Sequence, residues 1–181
     1  MLDDFDIVPK AVVFDLDETL WDREVDCSGG PPFSLSKDSR KKIFCARKTP
    51  IHLYDDVPEI FDALADDGRI RVGYASRTWE PEWAKAALRE VPCGTDGVVN
   101  MWSIASGSGW GDHSKVSHLK TVSSQMKISL DSILFYDNEM RNIRDVQPMG
   151  VHCCYCPNGL DAKAFIDSLR EYSDKVRREP I

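Results

Sequence analysis

The chain has 181 residues, 42% of them hydrophobic and 29% charged, with a net charge of −7 at pH 7. This suits one compact domain over residues 1–181, and the acidity argues against a nucleic-acid backbone or an anionic membrane surface as partner. No apolar stretch reaches the about 20 residues of a membrane span, and the acidic start Met1–Asp6 does not resemble a signal peptide, so a cytoplasmic or nuclear protein is expected.

The first apolar run, Ala11–Phe14, reads as a strand and ends in Asp15-Leu16-Asp17-Glu18-Thr19. Side chains two apart on extended backbone point the same way, so both carboxylates face one site while Leu16 faces the core. Two such charges repel by about 4 kcal/mol at about 4 Å in an effective dielectric of about 20. A hard divalent cation with oxygen ligands would hold them together; an acidic turn is the plainer alternative. Asp22–Ile51 reads as a long loop, with or without a hairpin. It holds Gly29-Gly30-Pro31-Pro32 and a basic patch, Lys37–Lys42.

Asp56-Val57-Pro58-Glu59 is a capping-box variant opening a helix with Ile60, Phe61, Leu64 and Ala65 on its apolar side. Asp67-Gly68 closes it. The second strand, Ile70–Ala75, runs into Ser76-Arg77-Thr78. A small hydroxyl and free N–H groups at a helix start form an anion site, and a guanidinium fork fits phosphate oxygens. Ordinary capping explains the hydroxyls too, with Thr78 as N-cap of a helix carrying Trp83, Ala84, Ala87 and Leu88. Val91–Asp112 mixes glycine, tryptophan and small residues and shows no assignable period.

Ser114–Met126 is helical by Val116, Leu119 and Val122 and sets Lys115 at a helix start. The dipole disfavours a cation there unless it reaches an anion; a solvated surface lysine is the alternative. The strand Ser132–Tyr136 ends in Asp137-Asn138-Glu139. Asp137 or Asn138 suits a metal; the alternative is an acidic N-terminus, stabilised by the dipole, of the helix from about Glu139 to Val146. Val151–Tyr155 is a last strand and Leu160–Val176 a closing amphipathic helix. Within His152-Cys153-Cys154-Tyr155-Cys156, adjacent cysteines face opposite ways on a strand. No second pair stands at zinc-site spacing, so this is read as a cysteine-rich buried strand with reduced thiols.

Strands alternating with helices predict an α/β fold, a mainly parallel sheet between two helical layers, with ligands at the strands' carboxyl ends. Asp15, Ser76 and Asp137 each fall at such an end. A carboxylate there can attack phosphorus, and a second one two residues on can protonate the leaving oxygen. Mg²⁺, Lys115 and Arg77 would offset the charge of the approaching phosphate.

These segments resemble the haloacid-dehalogenase-like superfamily, whose first motif reads Asp-x-Asp-x-Thr. Val13–Trp21, Ala75–Thr78 and Phe135–Asn142 look like the eukaryotic magnesium-dependent phosphatase family, a likeness spanning about Ala11 to Tyr155. The resemblance implies a Rossmann-like fold, capless or minimally capped because Asp22–Ile51 is too short for a helical cap. It implies Mg²⁺-dependent, acid-type phosphomonoester hydrolysis through an aspartyl phosphate. Asp15 is then the nucleophile and Asp17 the general acid/base, both also metal ligands, Asp17 through its backbone carbonyl. Leu16, Ser76, Arg77 and Lys115 would hold the substrate, a phosphorylated small molecule or protein of the phosphotyrosine or sugar-phosphate kind.

The last motif is Asp-Asp in many relatives and Asp137-Asn138 here. The amide oxygen of Asn138 is still a hard donor and is the expected direct ligand, with Asp137 acting through water or orienting Lys115. Trp21 and Trp79 either stack on an aromatic ester or pack. His113 is placed near the leaving group only by its closeness to Lys115 in sequence; His52, His118 and His152 read as structural or surface residues. Arg141 and Asn142 tie their helix to the catalytic loop, with surface exposure the alternative for Arg141. Two rivals are weighed. Carbon–halogen hydrolysis is disfavoured because Asp17 suits an oxygen leaving group. A receiver-like binding module would keep its phosphoaspartate long-lived.

Overall fold

The computed structural model describes residues 1–178. Strand β1 (Ala11–Phe14) is apolar and fully buried along its length, as a strand covered on both faces must be. The segment after it is not a plain loop. It forms three short antiparallel strands, β2 (Ser34–Leu35), β3 (Lys42–Phe44) and β4 (Pro50–His52), too short for their alternation to show in sequence.

Helix α1 (Val57–Asp67) buries Val57, Ile60, Phe61 and Leu64 and closes on left-handed Gly68, φ 68°. Its expected capping box does not form. The Asp56 carboxylate instead accepts the Ala162 N–H at 2.8 Å, at the start of the last helix. The basic patch pins the small sheet to α1 and its approach, through Arg40–Asp62 at 2.7 Å and Lys41–Asp55 at 3.4 Å. Such exposed pairs are worth under about 1 kcal/mol each.

Strand β5 (Arg71–Ser76) leads to α2 (Pro81–Arg89). This helix starts later than a Thr78 cap would place it. Pro81 occupies its first turn, and the Thr78 hydroxyl accepts the Glu80 N–H at 3.2 Å. The unassigned stretch holds a hairpin of β6 (Pro92–Cys93) and β7 (Val99–Asn100), then β8 (Ala105–Trp110). Helix α3 (Lys115–Met126) is capped by Ser114, whose hydroxyl accepts the Ser117 N–H at 3.3 Å. Strand β9 (Ile133–Asp137), α4 (Met140–Val146), β10 (His152–Tyr155) and α5 (Ala162–Arg178) complete the chain.

The main sheet has the order β10-β9-β1-β5-β8, and every neighbouring pair is parallel. Alternate strand residues serve opposite cores. Val12, Phe14, Tyr74 and Tyr136 pack with α1, α2 and α5, whereas Ala11, Val13, Ala75 and Phe135 pack with α3 and α4. This is the Rossmann-like three-layer arrangement, with the small sheet as a minimal addition between β1 and α1. Among the described residues, no helix is long and apolar enough to cross a membrane.

Candidate active site

The central position of β1 sets Asp15 and Asp17 between the ends of β5 and β9, in an open cleft of about 260 Å³. The Asp15 N–H donates to the Tyr136 carbonyl at 2.9 Å, which fixes the end of β1 against β9. Asp15 is 7% exposed. One of its oxygens accepts from the Lys115 ammonium, the other from the Thr19 hydroxyl at 3.1 Å. The Thr19 hydroxyl also lies 3.3 Å from the Asn138 side-chain oxygen and accepts the Asn138 N–H at 3.1 Å. Thr19 thus brings Asp15 and Asn138 together, but has one proton for two acceptors.

Lys115, the first residue of α3, is only 3% exposed. Its three N–H groups meet three acceptors: Asp15, the Ala75 carbonyl and, at 3.3 Å, Asp137. A helix-start lysine is tolerated here because two carboxylates surround it. Asp137 is fully buried. Its carboxylate accepts from Glu139 N–H at 2.7 Å and from the Asn142 amide at 3.0 Å. Burial, then the Asp15 charge, pushes it up to about 6 against the pull of Lys115. Asn142 does join its helix to this loop, whereas Arg141 is exposed and pairs with Glu139 at 3.1 Å.

Asp17 is held from behind. Trp21 Nε1 and the Val25 N–H both donate to one carboxylate oxygen, at 2.7 and 3.0 Å. Burial lifts it to about 7, with the Asp15 charge adding and the two hydrogen bonds opposing. Trp21 is fully buried, so its work is packing and this bond, not stacking on an ester. Trp79 is the opposite case, 72% exposed on the cleft rim.

Ser76 is buried and lines the cleft, its oxygen accepting the Thr78 N–H at 3.2 Å. Arg77 lines it too, paired with Glu139 at 2.6 Å. The Leu16 side chain is fully buried in the core, which leaves any substrate contact to its backbone. His113 does not line the cleft; His118 is buried against β8, and burial followed by the Lys115 charge pushes it down to about 4.

Sequence reasoning missed the rim: Glu18, Glu24, Asp26 and Glu139 all line the cleft. Asp26 sits on a short 3-10 turn, Val25–Cys27, and accepts from the Trp79 N–H at 3.2 Å and the Thr78 hydroxyl at 3.4 Å. No local pattern announces it, because its partners are more than fifty positions away. Glu18 adjoins the motif and adopts φ 58° to turn the chain back toward Trp21.

The lining therefore contains six carboxylates (Asp15, Asp17, Glu18, Glu24, Asp26, Glu139) and two cations (Arg77, Lys115). A phosphate dianion entering such a field needs further positive charge. Asp15, Asp17 and Asn138 form a set of oxygen donors, and the shared Thr19 proton leaves one acceptor incompletely satisfied. That set fits a hard divalent cation.

A family model described as acid phosphatase matches residues 7–175. The chain belongs to this family. It is 31% identical over 174 residues to magnesium-dependent phosphatase 1 of Homo sapiens, covering 96% of this chain and 92% of that one. A HAD-like hydrolase superfamily protein of Schizosaccharomyces pombe is 33% identical over 147 residues, covering 79% and 83%. Two solved structures share the fold of this acid phosphatase family member. The N-terminal part of a Bacteroides fragilis protein, containing a phosphatase domain complexed with Mg, has a TM-score of 0.61 at 17% identity, over 91% of this chain and 40% of that one. A HAD-superfamily hydrolase from Ehrlichia chaffeensis has a TM-score of 0.53 at 13% identity, over 93% and 98%. This chain thus spans well under half of the Bacteroides chain.

Proposed function

We propose that this protein is a Mg²⁺-dependent phosphatase that hydrolyses phosphomonoesters through a phosphoaspartate on Asp15. The observation that carries the reading is the pairing of two differently treated carboxyls. Asp15 has both oxygens fixed by Lys115 and Thr19, while Asp17, two residues on, is half-buried and held up to about 7. One is aimed by its two partners and the other is kept as a proton carrier. Membership of the acid phosphatase family supports it, as does the relative named magnesium-dependent phosphatase 1.

In this reading an Asp15 oxygen attacks phosphorus, and the ester oxygen leaves with the proton of Asp17. Water then attacks the phosphoaspartate, Asp17 takes a proton back, and Asp15 is restored. Ser76, Arg77 and the Leu16 backbone hold the phosphoryl oxygens; Arg77 trades part of its Glu139 pairing to do so. Lys115 aims Asp15 and offsets its charge, and Asp137 orients Lys115. Asp15, Asn138 and the Asp17 backbone carbonyl would hold Mg²⁺. Bound there, the ion supplies positive charge at the nucleophile and at the phosphoryl oxygens. The open cleft and exposed Trp79 suit a planar ester such as phosphotyrosine, and equally leave room for a sugar phosphate.

Asp15→Asn should abolish turnover of p-nitrophenyl phosphate with far-UV circular dichroism unchanged, and EDTA should silence the native protein until Mg²⁺ is returned. Turnover retained by the variant overturns the nucleophile assignment. A phosphoaspartate lasting hours in the native protein would favour a signalling module over an enzyme.

A further inference from the structure

Strand β10 and the turn after it carry three thiols that the proposed reaction does not use. Cys153 packs against the α3/α4 core. Cys154 and Cys156 face the other way, as residues two apart on extended backbone must, and pack with the α5 side. Their sulfurs lie 3.9 Å apart. Two extended residues span about 6.6 Å between Cα atoms, inside the range of about 4.4–6.8 Å that a disulfide bridges. Bond formation needs each sulfur to move about 1 Å toward the other, to a separation of about 2.05 Å. Cys154 is half-buried and Cys156 is buried, so the first is open to a small oxidant and the second is shielded beside it. The hydrogen-bonding contact with the Cys156 sulfur holds Cys154 below the ordinary thiol range.

The backbone here supports both halves of the site. The Cys156 N–H donates to the Asp137 carbonyl at 2.9 Å. A turn then runs from Cys156 to Gly159, and the Leu160 N–H donates to the Thr19 carbonyl at 2.9 Å. Asp137 orients Lys115, and Thr19 holds Asp15 and Asn138. Any rearrangement of Cys156 is therefore felt at the two loops that aim the nucleophile.

We propose that Cys154 and Cys156 form a peroxide-responsive dithiol, closing to a disulfide that disturbs the support of Asp137 and Thr19 and slows the phosphatase reaction. The Cys154 thiolate attacks one oxygen of hydrogen peroxide, the O–O bond breaks, and a sulfenic acid and hydroxide result. The hydroxide takes the Cys156 proton. The Cys156 thiolate then attacks the Cys154 sulfur, the S–O bond breaks, and the departing hydroxide leaves as water with a proton from solvent. Overall two thiols and one peroxide give one disulfide and two waters; the thiols lose two electrons and the peroxide gains them.

The test treats the full-length protein with hydrogen peroxide, blocks remaining thiols with iodoacetamide, and maps peptides by mass. The expected result is loss of two hydrogens on the peptide holding Cys154 and Cys156, reversed by dithiothreitol. Turnover of p-nitrophenyl phosphate falls and recovers in parallel, and Cys154→Ser and Cys156→Ser lose this sensitivity. Oxygen addition at Cys154 with Cys156 alkylated overturns the disulfide. A disulfide with undiminished turnover, or peroxide inhibition persisting in Cys154→Ser, overturns the coupling to catalysis. The mass readout holds whether or not the phosphatase reading does, so the two fail separately.

Discussion

Asp17 lies half-buried beside Asp15, with Trp21 and Val25 both donating to one of its oxygens, and still sits near 7 rather than its ordinary 3.8. A carboxyl whose folded value exceeds its unfolded one favours the folded chain least when ionised. Its cost is absent below about pH 3.8, grows as pH rises, and is complete above about 7. The whole shift corresponds to about 4 kcal/mol, and water in the open cleft cuts this to roughly half. Asp17→Asn should therefore raise the melting temperature in EDTA, more at pH 8 than at pH 5, while turnover collapses. In the proposed reaction Asp17 is the general acid, and a general acid kept ready at the expense of stability would behave this way. Equal melting temperatures for the two proteins at pH 8 would mean that Asp17 carries no such burden.

At the scale of elements, the placing of Lys115 depends on how closely α3 approaches β8. A Cβ built on Gly109 would stand 2.6 Å from the Cβ of His118 and 2.7 Å from its Cα, so the helix backbone rests on the strand. Gly109→Ala must push α3 outward, at a cost of about 1–3 kcal/mol, and draw Lys115 away from Asp15. The expected pair of results is a lower melting temperature and a kcat reduced beyond what unfolding explains, both measured below the transition. A normal kcat would show that Lys115 is aimed by something other than this contact. The same packing explains what the sequence hides. β1, β5, β9 and β10 are legible as apolar or β-branched runs, and their carboxyl ends mark Asp15, Ser76 and Asp137. β8 is Ala-Ser-Gly-Ser-Gly-Trp, small because α3 lies against it, and carries no strand signal. Asp56 and Thr78 look like caps of the helices that follow them. Asp56 bonds a residue remote in sequence, and Thr78 engages Glu80 and Asp26 before α2 begins. Asp17, Arg77, Lys115 and Asn138 are found in the cleft with Asp15 and Ser76, whereas Glu24 and Asp26 reach it from a segment with no periodic pattern.

For the molecule as a whole, charge is unevenly spread around the strand ends. The net charge is −7, and the cleft alone holds six carboxylates to two cations. The protein without a divalent ion thus folds against repulsion concentrated in one place, and a cation bound there should stabilise the whole chain. Binding to the folded state alone adds about 2.7 kcal/mol at a concentration of about 100 Kd, which for a chain of this size is about 5–10 °C in melting temperature. Mg²⁺ should therefore raise the melting temperature relative to EDTA with no substrate present. Asn138→Ala should weaken that rise by removing one oxygen donor and leaving Asp15 in place. Sodium chloride should partly mimic the effect in EDTA, because screening acts on the same repulsion. A melting temperature that is the same in Mg²⁺ and in EDTA would show that the carboxylates tolerate one another without an ion, and would remove the electrostatic basis for a metal at Asp15, Asp17 and Asn138.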